Sequence, residues 1–193
     1  MNFDCYVDII TERMVMRPFE LTDAKNVFYN WASDYDTMRM LGCKPYASIY
    51  ESQQKLNQKI INSQNGKSLR WCIDFGKYNC VGYVSFFVID DDSCYITYCV
   101  APNMRRKGIA TEAVGAAMDF LIRHCGYSMI IAESYSDNIP SRNLLKKIGF
   151  TEESAYDLSR NEIRLVMKKE DYICSVEYDV KYLRKEQKNE GNQ

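Results

Sequence analysis

The feature that most constrains this chain is a change of hydrophobic period at Ala101-Pro102. Upstream, Leu69, Trp71, Ile73 and Phe75 alternate with Arg70, Cys72 and Asp74, the two-residue period of a half-buried strand. Gly76-Lys77-Tyr78-Asn79 supplies turn residues, 80–89 is rich in aromatic and β-branched side chains, Asp90-Asp91-Asp92 turns the chain again, and 94–100 reads as a further strand. These strands predict an antiparallel meander, stopped by Pro102 because proline has no N–H to donate. Downstream, Ala110, Ala113, Val114, Ala117, Phe120, Leu121 and His124 fall on one helical stripe that Gly126 ends. A short apolar strand (Met129, Ile130, Ile131, Ala132) and a second helix with Leu144, Leu145 and Ile148 follow. Strand, helix, strand demands a crossover, so the strand at 129 is expected to run parallel to the one ending at Val100.

The flanks extend this mixed α/β pattern. Residues 13–18 alternate weakly and end at proline, which suits a first strand at a sheet edge. Thr22 reads as an N-cap for a helix whose Ala24, Val27, Phe28 and Trp31 face the sheet, and 33–41 as a short helical turn or loop. Ser48-Ile49-Tyr50-Glu51 fits a capping box for a helix to about Gln64, ended by Asn65-Gly66. From Phe150 a hairpin is expected, with Ile163, Leu165 and Met167 in its second arm. One domain is predicted over 1–172. Residues 173–183 fit an added strand or a helical face equally, and 184–193 is polar enough to be disordered.

Of 193 residues, 46% are hydrophobic and 26% charged, enough for one continuous core. A net charge of −1 gives no global pull toward nucleic acid or an anionic membrane, so neither is an expected partner and any anion site must be local. The first ten residues lack a signal peptide's pattern, and no stretch approaches a membrane span, which predicts a cytoplasmic protein. Eight cysteines without a C-x-x-C pair, and a single histidine, His124, predict that most of the thiols are buried and that no metal is bound. A homodimer stays open.

The local site is Val100-Ala101-Pro102-Asn103-Met104-Arg105-Arg106-Lys107-Gly108-Ile109-Ala110-Thr111, a strand end, a basic turn with one glycine, and a helix start. Backbone N–H groups at a helix N-terminus point outward, the helix dipole adds partial positive charge, and Gly108 lets an anion approach the backbone. Read alone, the fragment is equally a solvated basic turn. A Walker-type nucleotide loop fits less well, lacking the glycine and lysine-serine spacing.

Arg105-x-x-Gly108-x-Ala110 after a strand resembles the acetyl-CoA motif of the GNAT N-acetyltransferases. The segment from Asp137-Asn138 through Ser141 to Gly149-Phe150 is similar to that family's second motif. Thr11 to Phe19 and Asn30-Trp31-Ala32-Ser33-Asp34 resemble its RimJ/RimL branch, which includes ribosomal-protein N-terminal acetyltransferases and enzymes for other amines. The resemblance covers roughly 11–170. It implies a GNAT fold, acetyl-CoA as co-substrate, an amine acceptor that is a protein N-terminus or a small molecule, and a diphosphate held by residues 105–111. It also implies pantetheine along Tyr98, Cys99 and Val100, a coenzyme contact from Asn138, and Ser141 as proton donor to the leaving thiolate. The sequence departs from the family at Leu145, where many members have a tyrosine, and at Tyr95, where the branch often has glutamate. These departures keep an alternative open, a catalytically silent coenzyme A-binding module. Glu133 is the first choice for a general base and Tyr95 the second, with a structural role for Glu133 as the competing reading; Asn138 could also cap the following helix.

Overall fold

The computed structural model describes residues 7–66, 68–153, 161–173 and 177–182. Its strands are β1 (Val7–Thr11), β2 (Met14–Pro18), β3 (Ser68–Phe75), β4 (Tyr78–Val88), β5 (Ser93–Val100), β6 (Met129–Tyr135), β7 (Thr151–Glu152), β8 (Glu162–Lys168) and β9 (Tyr178–Tyr182). They form one sheet in the order β7-β8-β6-β5-β4-β3-β2-β1-β9. Every pairing is antiparallel except β5 with β6. The helices are α1 (Ala24–Val27), continued by a wider turn over Phe28–Ala32, α2 (Tyr35–Met40), α3 (Ile49–Gln64), α4 (Ile109–Asp119) and α5 (Ile139–Ile148).

The two-residue strand period sorts side chains onto two cores. Trp71, Ile73, Val84, Phe86 and Ile96 meet α4 and α5 on one face, and Cys72, Cys80 and Cys99 meet Ala24, Trp31, Met38 and Leu56 on the other. Ser48 caps α3 by accepting from the Glu51 N–H at 3.1 Å, and the helix runs to Gln64 as its sequence predicts. None of the described helices is long and apolar enough to cross a membrane.

Two expectations need correction, and one left open is decided. Residues 14–18 are an interior strand, because β1 precedes them, pairs with them and is itself covered by β9. Their proline sits at the strand's last position, where a missing donor costs least. The first helical turn is capped by Glu20 and Asp23 reciprocally, with Thr22 inside the turn. Arg17 sets this choice, since its guanidinium donates to both Asp23 oxygens at 2.8 Å and to Asp74 at 2.7 Å, fastening the turn to β2 and β3. The segment left open between strand and helix is, over Tyr178–Tyr182, a strand on β1. Residues 184–193, expected to be disordered, lie outside the described residues.

Candidate functional site

β5 pairs with β4 along its length, from Val88↔Cys94 to Gly82↔Val100. With β6 it pairs only at Ser93↔Met129, Cys94↔Ile130 and Tyr95↔Ile131; β6 then continues with β8 as far as Tyr135. The sheet therefore opens beside residues 96–100. Gly82 helps to set the split: a β-carbon there would lie 2.3 Å from the Cys99 carbonyl oxygen, so only glycine lets β4 draw the end of β5 this close. The opening is a cleft of about 1050 Å³ between β5, β6, α2 and the first turns of α4 and α5.

The free edge of β5 has an alternating face. The Ala101 N–H donates to the Val81 carbonyl at 2.8 Å. By the antiparallel alternation, Tyr98 and Val100 turn their peptide groups to the opening and Cys99 turns its group toward β4. The Cys99 side chain is buried in the second core. Of the three strand residues expected to line a pantetheine arm, two therefore present polar backbone atoms. The Val100 carbonyl is already taken by the Arg105 Nε at 3.2 Å.

The basic turn runs through a short 3-10 segment at Pro102–Met104, anchored by buried Met104. Arg106 and Gly108 both have positive φ, 64° and 78°, and Gly108 is the N-cap of α4. No side chain caps this helix, and its first backbone bond is Glu112 N–H to Gly108 carbonyl at 3.1 Å. The amides of Ile109, Ala110 and Thr111 are thus left for an outside acceptor, and all three residues line the cleft. The basic side chains divide. Arg106 is exposed at the cleft wall; Arg105 also lines it, but its Nη2 donates to Thr37 Oγ1 at 2.5 Å, joining β5 to the start of α2; Lys107 lies outside the lining, its Nζ 3.3 Å from Met104 Sδ. Arg13, which motif reading passed over, braces the turn by donating to the Lys107 carbonyl at 3.1 Å and pairing with Glu112.

At the cleft's other wall, Asn138 caps α5 by accepting from the Ser141 N–H at 3.4 Å, so its capping role is realised while it also lines the cleft. Ser141 Oγ lies 2.9 Å from the Tyr98 hydroxyl, a contact across the split sheet that sequence reasoning missed. Alternation along β5 was the available signal, because it turns Tyr98 to the side of the α5 N-terminus. Burial pushes the Tyr98 phenol up to about 12, so it stays protonated at neutral pH. Leu145 is buried in the core, so no hydroxyl replaces the family tyrosine there.

Glu133 lines the cleft, but its Oε1 accepts from Tyr95 at 3.1 Å and from Arg164 at 3.1 Å, and Arg164 also donates to the Tyr95 hydroxyl at 2.8 Å. Tyr95 itself is outside the lining. Arg164 comes from β8, opposite Glu133, and nothing in its local sequence marks it. Asp23, Cys72 and Cys80 form a buried group of metal-type ligand atoms within 4.8 Å of one another. Arg17 occupies that carboxylate, and burial pushes the Cys72 thiol far up, so the group is a charge-compensated polar core with a cation already at its edge.

A family model described as "Acetyltransferase (GNAT) domain" matches residues 13–151. An uncharacterized N-acetyltransferase of Bacillus subtilis, YnaD, is 28% identical over 151 residues, 77% of this chain and 85% of the relative. A GNAT-family acetyltransferase structure from Bacillus anthracis superposes with a TM-score of 0.74 at 23% identity, covering 84% of this chain and 99% of that one. Mycobacterium smegmatis RimJ, solved in complex with CoA-disulfide, superposes at 0.71 with 20% identity over 86% of each chain.

Proposed function

The chain belongs to the GNAT acetyltransferase family, and on that premise we propose that it transfers the acetyl group of acetyl-CoA directly to a primary amine, through the cleft beside β5. The observation that carries this reading is the pairing, in one cleft, of an uncapped glycine-led helix start with an unpaired strand edge. The first suits a diphosphate and the second suits the amides of a pantetheine arm.

In the proposed reaction the amides of Ile109, Ala110 and Thr111, with Arg106, hold the diphosphate. Asn138 adds a contact at the start of α5. The thioester lies deeper, near Tyr98 and Ser141. A neutral amine attacks the thioester carbonyl, an outward N–H of Tyr98 or Val100 stabilises the oxyanion, and the carbon–sulfur bond breaks as the thiolate gains a proton. Ser141 is the proton donor, and the Tyr98 hydroxyl at 2.9 Å relays its replacement, regaining its own proton from solvent. Glu133 takes the amine's proton through a water, with its Oε1 steadied by Tyr95 and Arg164. Freeing an α-amine of its proton at pH 7 costs about 1 kcal/mol, against about 4.6 kcal/mol for a lysine, so a base held by an arginine suffices for the first.

The test is thiol release from acetyl-CoA with ribosomal-protein N-terminal peptides, polyamines, aminoglycosides and free amino acids, with Gly108→Trp as the blocked control. Turnover with at least one amine, lost in the control, is expected. A folded protein that binds acetyl-CoA and releases thiol to no amine would instead be the silent binding module.

A further inference from the structure

Among the described residues, every half-buried arginine but one meets a carboxylate: Arg17 with Asp23 and Asp74, Arg142 with Glu152, and Arg164 with Glu133. Arg70 does not. Its guanidinium lies over the Phe87 ring at 4.5 Å, one Nη donates to Ser85 Oγ at 3.2 Å, and its Nε is buried without a partner among the described residues. Lys59, from α3, lines the same small crevice, and among the described residues its Nζ donates only to the Tyr46 hydroxyl at 3.2 Å. Burial, and then Arg70, lower the Lys59 ammonium below its ordinary value, and burial lowers Arg70. Two half-buried cations thus share a crevice with no carboxylate bonded to either among the described residues.

Their place in the sheet connects them to the acceptor side of the cleft. Arg70, Ser85 and Thr97 are cross-strand neighbours on β3, β4 and β5, and Thr97 lines the cleft. This row shares the face of Cys72 and Cys99, opposite the face packed by α4. The coenzyme's phosphates, bound at the α4 start, are therefore not the missing counter-charge. An acceptor lying over the β5 edge from this face would reach Arg70 after two strand spacings, about 10 Å.

Resting on the acetyl-transfer reading above, we propose that the acceptor amine carries an anionic group, a carboxylate or a phosphate, about 10 Å from its nitrogen, which Arg70 and Lys59 receive. The arginine fork offers the buried Nε–H and a second N–H to one anion, and Lys59 adds a point charge. The surface beside it, Phe87, Tyr83 and Tyr46, suits a molecule of peptide or nucleotide size better than a bare amino acid. A polyamine brings only positive charge and is repelled.

The experiment compares kcat/KM for matched acceptors by thiol release: a tripeptide with a free C-terminal carboxylate against its C-terminal amide, an aminoalkyl phosphate of similar length against the amino alcohol, and spermidine. The wild type is expected to favour the acidic member of at least one pair by about ten-fold or more, the two pairs separating carboxylate from phosphate. Arg70→Gln closes that gap by lowering the rate on the acidic member. If Arg70→Gln fails to fold by circular dichroism, Lys59→Gln makes the same comparison and should narrow the gap. Equal use of both members by the wild type, preference for spermidine, or a gap unchanged in the folded variant overturns the proposal while leaving acetyl transfer intact. Absence of thiol release with every amine, from folded protein that binds acetyl-CoA, overturns the acetyl-transfer reading and this one together.

Discussion

The two ends of the cleft are built from different materials. Where α4 begins, the polar groups are backbone: the uncapped amides of residues 109–111, the left-handed Gly108 and the free edge of β5. Away from that end they are side chains: Glu133 of β6 lines the cleft, backed by Tyr95 of β5 and Arg164 of β8, and Arg70 of β3 and Lys59 of α3 line a separate crevice. Backbone geometry is fixed by the fold and demands few residue types, so one chemistry can persist there through wide sequence change. A wall of side chains can be exchanged one at a time, and there specificity can drift while the chemistry stays.

This contrast orders the expected effects of mutation. Gly108→Trp strikes the backbone end. A side chain at φ 78° is strained, and the indole fills the approach to three amides. Acetyl-CoA affinity, read by calorimetry, should fall by about a thousandfold or more, while binding at the acceptor side is untouched. Gly82→Ala attacks the split itself. Its β-carbon meets the Cys99 carbonyl, a backbone atom that cannot step aside, so stability in urea should drop by about 3 kcal/mol. An unchanged midpoint would show that the opening does not depend on close approach of β4.

Tyr98→Phe lies where the two ends meet. It keeps the ring and removes the hydroxyl facing Ser141, so kcat should fall about ten-fold with the KM for acetyl-CoA within two-fold. Because the phenol titrates near 12, the wild-type rate should show no loss from Tyr98 ionisation between pH 7 and 10. A Tyr98→Phe rate equal to wild type would remove the hydroxyl pair from the reaction. The smallest effect belongs to the clamp on α5. Arg142 and Lys146 hold the Glu152 carboxyl down at about 2 from its ordinary 4.5, so its contribution is complete above pH 4.5 and disappears as pH falls through 2. Arg142→Ala should therefore lower the melting temperature slightly at pH 7, and the difference from wild type should vanish as pH falls from 4.5 to 2.

The same division explains what the sequence revealed. The change of period at Ala101-Pro102, the Ser48 box and the parallel step from β5 to β6 were legible because each follows from local spacing or a single special residue. Gly108 was legible for that reason too. Strand β1 was not, because five residues containing a polar aspartate gave too little alternation, and its partner β9 lies about 170 positions away in the chain. The pairings of Arg17 with Asp23 and Asp74, Tyr98 with Ser141, and Glu133 with Arg164 were hidden for a related reason. Each is set by strand register or by the meeting of distant elements, which leaves no mark in a sequence window.

The short run of parallel pairing between β5 and β6 has a further consequence. An unpaired strand edge usually sits at the rim of a sheet, where it can recruit another polypeptide and seed aggregation. Here the bare edge lies in the sheet's interior, with β6 across the opening and the starts of α4 and α5 beside it. In the proposed reaction it is a narrow amide-bearing arm that completes this ladder, at an edge removed from the rim where another sheet would dock. An edge that would be a liability at the rim is thereby sheltered inside the sheet.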